Sequence, residues 1–88
     1  MVVQIDKNTS IDTTAKTVTI GDRTYQIEPA GPARWHTTHP LTGESLDFSL
    51  VQNAKAGQGW QVNAVPPADI IGRKWVEGCV KAGLSPLP

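Results

Sequence analysis

Apolar and polar residues alternate from Thr17 to Glu28, with one interruption at Gly21-Asp22. A period of two belongs to a half-buried strand. Glycine in the first position of a two-residue loop suits a type II′ hairpin. That turn pairs Ile20 with Arg23 and Val18 with Tyr25. Val18, Ile20, Tyr25 and Ile27 then share one face, and Thr17, Thr19, Thr24 and Gln26 the other, so turn chemistry and pattern give the same register. Pro29-Ala30-Gly31-Pro32 ends this unit, and a second hairpin follows. Its outgoing strand is Ala33 to His39, anchored by Trp35. Leu41-Thr42-Gly43 is the loop, and Ser45 to Val51 returns with Leu46, Phe48 and Leu50 alternating with Ser45, Asp47 and Ser49. Gln52 to Gly59 has the composition of a mobile loop. Trp60 to Val65 reads as a last strand, with Trp60, Val62 and Ala64 on one side. At the start of the chain, Met1 to Ile5 is β-prone, whereas the threonine-rich Asn8 to Ala15 reads as a loop or loose arm.

The periodicity changes at Pro66 to Gly83, where both ends of a helix are written. Proline fits the first turn of a helix but not its interior. Asp69 lies where a negative charge meets the positive end of the helix dipole. Gly83 can take the left-handed conformation that closes a helix, and Pro86 and Pro88 prevent resumption. On a helical wheel Ile71, Trp75, Cys79 and Ala82 share a face bordered by Gly78. Arg73, Glu77 and Lys81 form an i, i+4 ladder that reads as solvated ion pairs. Val76 and Val80 widen the apolar arc and require a cover, from this chain or from a partner. Gly72 and Gly78 each cost about 1 kcal/mol against alanine in a helix. They flank the apolar face, which predicts close approach of the helix to a sheet.

The expected fold is therefore α+β: a small antiparallel sheet of about five strands, made of two hairpins plus a last strand, with one C-terminal helix packed on one face. A strongly curved or partly closed barrel capped by the helix is the alternative. The chain is expected to be a single small domain over residues 1–88, with residues 1–16 as a loosely packed N-terminal strand and arm.

Composition narrows the functional classes. Eight basic and eight acidic residues cancel, which counts against an electrostatic nucleic-acid binder without excluding a local patch. No apolar run approaches the length of a membrane span, and Met1 to Ser10 lacks the pattern of a signal peptide. The single cysteine, Cys79, cannot form an internal disulfide and falls on the apolar helix face. A cytoplasmic location is the corresponding expectation.

Few residues suggest chemistry. His36 and His39 could contribute to a zinc site, but residues three apart on a straight strand face opposite sides. A site would need a further ligand from Glu44, Asp47 or Cys79. Ser45, Ser49 and Ser85 lack a nucleophile-elbow context, and Gly57-Gln58-Gly59 is too short to be a phosphate loop. Glu44 and Asp47 are an unconvincing carboxylate pair for the same reason as the histidines. No enzymatic activity, cofactor or metal is expected.

Two binding readings remain. The first is a non-enzymatic protein-binding module, regulatory or inhibitory, or an accessory subunit acting on a larger machine. Small phage or mobile-element proteins offer an analogy of type. Its partner would be a larger protein or complex, or a second copy in a homodimer. The wide apolar arc of the helix, three tryptophans and an edge of the first hairpin open to strand addition motivate it. Trp35, Trp60, Val76 and Val80 are the contact candidates. The alternative is a small nucleic-acid-binding domain using the sheet face with Arg34, Lys55, Arg73 and Lys74.

Overall fold

The computed structural model describes residues 1–88. Seven strands run in meander order: β1 (Val2–Asp6), β2 (Thr9–Asp12), β3 (Thr17–Ile20), β4 (Arg23–Gly31), β5 (Arg34–Thr38), β6 (Ser45–Gln52) and β7 (Trp60–Asn63). Every neighbouring pair is antiparallel, and spatial order equals chain order. One helix, α1 (Ala68–Lys81), follows β7. The fold is α+β as expected, with the helix against the sheet, but the strands number seven rather than about five.

The two additional strands are β1, from the β-prone start of the chain, and β2, in the segment expected to be a loop or arm. Polar residues outnumber apolar ones there, which hides the period. Thr9, Ile11 and Thr13 nevertheless point inward and are buried. Ile11 pairs with both Val3 and Val18, so residues 1–16 are stitched into the sheet rather than loosely packed against it. Asp12 stabilises the following turn by accepting hydrogen bonds from the Thr14 and Ala15 backbone N–H groups at 2.9 and 3.0 Å.

The first hairpin has the expected register, with Val18 opposite Tyr25 and Ile20 opposite Arg23. Its turn places Gly21 at φ +63°. The second hairpin sets Trp35 opposite Phe48. Long strand β4 serves both neighbours: Arg23 to Gln26 pair with β3, and Ile27 onward with β5. The sheet curls along this line. α1 consequently packs against β1, β2 and β3 on one side and β6 and β7 on the other.

Inward residues of the sheet meet Ala68, Ile71, Trp75, Val76 and Cys79 of α1 in a single core. The two helical glycines allow the close approach. A β-carbon on Gly72 would lie 2.7 Å from Val62 Cγ1 and 2.9 Å from the Phe48 ring, and one on Gly78 would run into Ile11. Gly83, at φ +74°, ends the helix. Leu84 N–H donates to Cys79 O and Gly83 N–H to Val80 O, the paired bonds of a Schellman close. The chain then turns under the helix and buries Pro86.

The charged ladder differs from the sequence expectation. Arg73 turns back to Asp69 at 3.3 Å instead of forward to Glu77. Lys81 Nζ donates to Gln4 O at 3.0 Å, and Lys74 pairs with Asp6 at 3.5 Å, so both lysines reach β1. Once the sheet curls, β1 supplies acceptors that a wheel drawn for an isolated helix cannot contain.

Candidate functional site

The contact candidates separate by depth. Trp35, 1% exposed, lies out of a partner's reach in the folded chain, and Val76, 3% exposed, is a core residue that reaches the surface only as part of a groove lining. Trp75, the third tryptophan, is also core. Trp60 is half-buried, and Val80 is exposed near the end of α1.

Trp60 opens a groove of about 270 Å³ between β7 and α1. Trp60, Val62 and Val76 supply its apolar lining, Arg73 and Glu77 its charged side, and Gly57 and Gln58 one end. Local chemistry builds each part. Asn53 Oδ1 accepts from Lys55 N–H at 3.0 Å, and Asn53 N–H donates to Gly59 O at 2.9 Å, closing the loop before β7. Inside that loop is a short 3-10 turn, Gly57–Gly59, with Gln58 at φ +64°. That backbone is costly for a side chain other than glycine's and tends to collect at functional positions. Gly72 brings α1 close to Val62, and Arg73 and Glu77, one turn apart on the helix after it, reach the opening.

The groove holds one unbalanced charge. Arg73 is tied to Asp69, whereas half-buried Glu77 has no ion pair or side-chain hydrogen bond within the chain. Val62, Gln58 and the open role of Glu77 were absent from the sequence candidates. The positive φ of Gln58 and the free state of Glu77 leave no one-dimensional signature, although Gly-Gln-Gly before a strand marks the loop.

The edge of the sheet also moves. The first hairpin was expected to offer an open edge, but β3 is covered by β2 and β4 by β5. The free edges are β1 and β7, because β2 exists.

The cations of the alternative reading do not share a surface. Arg34 stands on the outer face of the sheet, 4.0 Å from Asp47. Arg73 and Lys74 are on α1, across the core, each paired with a carboxylate. Lys55 projects from the loop before β7.

His36 and His39 face opposite sides, as the strand period requires. His36 Nδ1 lies 2.5 Å from Asp47 Oδ1 on the outer face. His39 accepts backbone N–H bonds from Leu41 and Thr42 at Nδ1 and meets the Tyr25 ring edge-on at 5.9 Å, which shapes the hairpin loop. No group of three or more histidine, cysteine, aspartate or glutamate side chains converges. Burial pushes the Cys79 thiol up to about 11. No helix is long and apolar enough to cross a membrane.

Comparison with known proteins gives no match, whether to a family model, a curated protein or a solved structure.

Proposed function

We propose that this chain is a non-enzymatic protein-binding module, regulatory or inhibitory, that engages a larger protein through the groove between β7 and α1. The observation that carries this reading is the position of the groove. It lies along an open sheet edge, with a half-buried tryptophan and an unpaired glutamate beside it. Tryptophan at the margin of a concave surface is a common binding anchor. The reactive side chains point the same way: Cys79 is buried and held in its thiol form, and the His36–Asp47 pair sits on an outer strand face away from the groove.

The nucleic-acid alternative loses support from the charge distribution. Binding to a phosphate backbone draws on clustered free cations, and here Arg34, Arg73 and Lys74 each face a carboxylate.

The test is a tagged pull-down from lysate of the native host, with and without nuclease, using the wild-type chain, Trp60→Ala and Val80→Glu. The expected result is one stoichiometric protein that survives nuclease, is lost with Trp60→Ala, and is retained with Val80→Glu, which lies outside the groove. Thermal melting establishes that the variants fold. Recovery of nucleic acid, with protein lost after nuclease, overturns the reading. A partner lost with Val80→Glu and retained with Trp60→Ala moves the contact to the end of α1.

A further inference from the structure

The two free edges of the sheet are treated differently. At β1, Val3 faces Ile11, and Thr13 N–H donates to Met1 O. The alternation of an antiparallel ladder then turns the Gln4 main chain outward. That outward carbonyl is occupied by Lys81 Nζ at 3.0 Å, and Lys74 bonds Asp6 beside it. Lysines on an exposed edge discourage pairing with another chain. A register shift between Gln4 and Asp6 breaks the regularity of β1 further.

At β7 there is no such guard. Leu50 N–H donates to Ala33 O at 2.9 Å, so the Leu50 main chain faces β5. Its partner across the other ladder is Val62. The Val62 N–H and C=O therefore point away from β6, toward the open edge, as does the Trp60 C=O. The Trp60 N–H bonds back to Gly57 O. Trp60-Gln61-Val62-Asn63 contains no charged residue and no proline. The outward main-chain row borders the groove lined by the Trp60 and Val62 side chains.

We infer that β7 takes an extended segment of the partner protein as an eighth strand, with a basic side chain of that segment meeting Glu77. This rests on the protein-binding reading and gives its mode of recognition. Main-chain bonds to Val62 recognise an extended backbone. Side chains opposite Trp60 and Val62 point to the same face as they do, into the groove. Apolar residues suit Trp60, Val62 and Val76, and a cation suits Glu77, which has no partner in the chain. Charge favours a different protein over a second copy. Two β7 edges brought together would pair strands that carry no cation, with Arg73 held by Asp69, and would leave Lys55 of the preceding loop as the one unpaired cation nearby.

The probe is a capped peptide in which threonine alternates with valine, lysine and valine, titrated into the ¹⁵N-labelled chain. Three companions accompany it: one with glutamate for lysine, one with N-methyl groups on the valine and lysine amides, and the lysine peptide against Glu77→Lys. Expected are saturable shifts centred on Trp60 to Asn63 and slowing of Val62 amide exchange by about tenfold or more at saturation. Glutamate for lysine weakens binding about fivefold to tenfold, Glu77→Lys reverses that preference, and N-methylation abolishes binding. No saturable shift at β7, unchanged Val62 exchange, or equal binding of the N-methylated peptide overturns strand addition. So does Val62 protection that grows with chain concentration without peptide, which assigns the edge to a second copy. A partner captured through Trp60 while the N-methylated peptide binds equally well leaves the protein-binding reading intact and removes only this mode. No captured protein in the pull-down together with no saturable peptide shift removes both.

Discussion

The Trp35 and Trp75 rings meet edge-on, 5.3 Å between centroids and 69° between planes. Both indole N–H groups donate to one acceptor, Pro86 O, at 2.7 and 2.9 Å. A sheet residue, a helix residue and the C-terminal segment are thus joined at one buried oxygen. Edge-to-face contact is the arrangement that aromatic quadrupoles favour, and buried indoles require an acceptor.

Removing residues 85–88 is therefore expected to destabilise the fold strongly, although the segment belongs to no strand or helix. It leaves two buried donors unpaired, each costing about 1–3 kcal/mol. Trp35→Phe removes one donor while Trp75 still satisfies Pro86 O, so the truncation should cost more in hydrogen bonding than this substitution does. Urea unfolding of the truncated chain checks the direct effect. If its midpoint equals that of the full chain, the shared oxygen contributes nothing.

Gly78→Ala should destabilise even though helix propensity alone favours it by about 1 kcal/mol. The added carbon runs into Ile11, and overpacking of this kind costs about 1–3 kcal/mol. Pairing it with Ile11→Val opens room, so a double-mutant cycle should show recovery of part of the loss. A stabilised Gly78→Ala single variant would mean that the helix does not seat on β2 at this distance.

Acid should weaken the fold through Asp12 and Asp6. The backbone N–H groups of Ala15 and Thr14 hold the Asp12 carboxyl below its ordinary value, and the Asn8 N–H does the same for Asp6. Between the folded and unfolded values the unfolded chain binds more protons, so stability rises with pH there. Their contribution is complete above the unfolded carboxylate range near pH 4 and fades as pH falls through the folded values. Melting temperature followed from pH 6 downward, about two units past that range, should decline less steeply in Asp12→Asn than in the wild type.

Cys79 should resist thiol reagents until the chain unfolds. Its side chain is 1% exposed, and with a value of about 11 its thiolate fraction at pH 8 is on the order of 10⁻³. Aromatic disulfide labelling at pH 8 should be slow in buffer, immediate in denaturant, and faster through the unfolding transition. The same shift lowers stability in alkali. The contribution is full below the unfolded thiol value near 8.5 and is lost as pH rises toward 11. Fast labelling in native buffer would place the thiol at the surface.

Local chemistry in the sequence determined the local structure. Gly21-Asp22 with its flanking alternation specified the first hairpin and its register, since a two-residue turn leaves one pairing that puts Val18 and Tyr25 on the same face. Prolines before Ala68 and glycine after Ala82 bounded the helix. Gly72 and Gly78 announced its close seat on the sheet. Each signal acts within a few residues or within one helical face. Tertiary structure decided the rest, because the remaining questions concern residues far apart in the chain. Thr9 to Asp12 became a strand only because Val3 and Val18 stand on either side of Ile11. That pairing enclosed the first hairpin and left β7 as the unguarded edge. Trp35 and Trp60 are alike in sequence, but one meets Trp75 and Pro86 in the core and the other borders a groove. Glu77 lost its expected partner because Asp69 captured Arg73, and Lys81 found a carbonyl on β1. Burial and pairing of this kind depend on which surfaces meet, and only the closed fold brings those surfaces together.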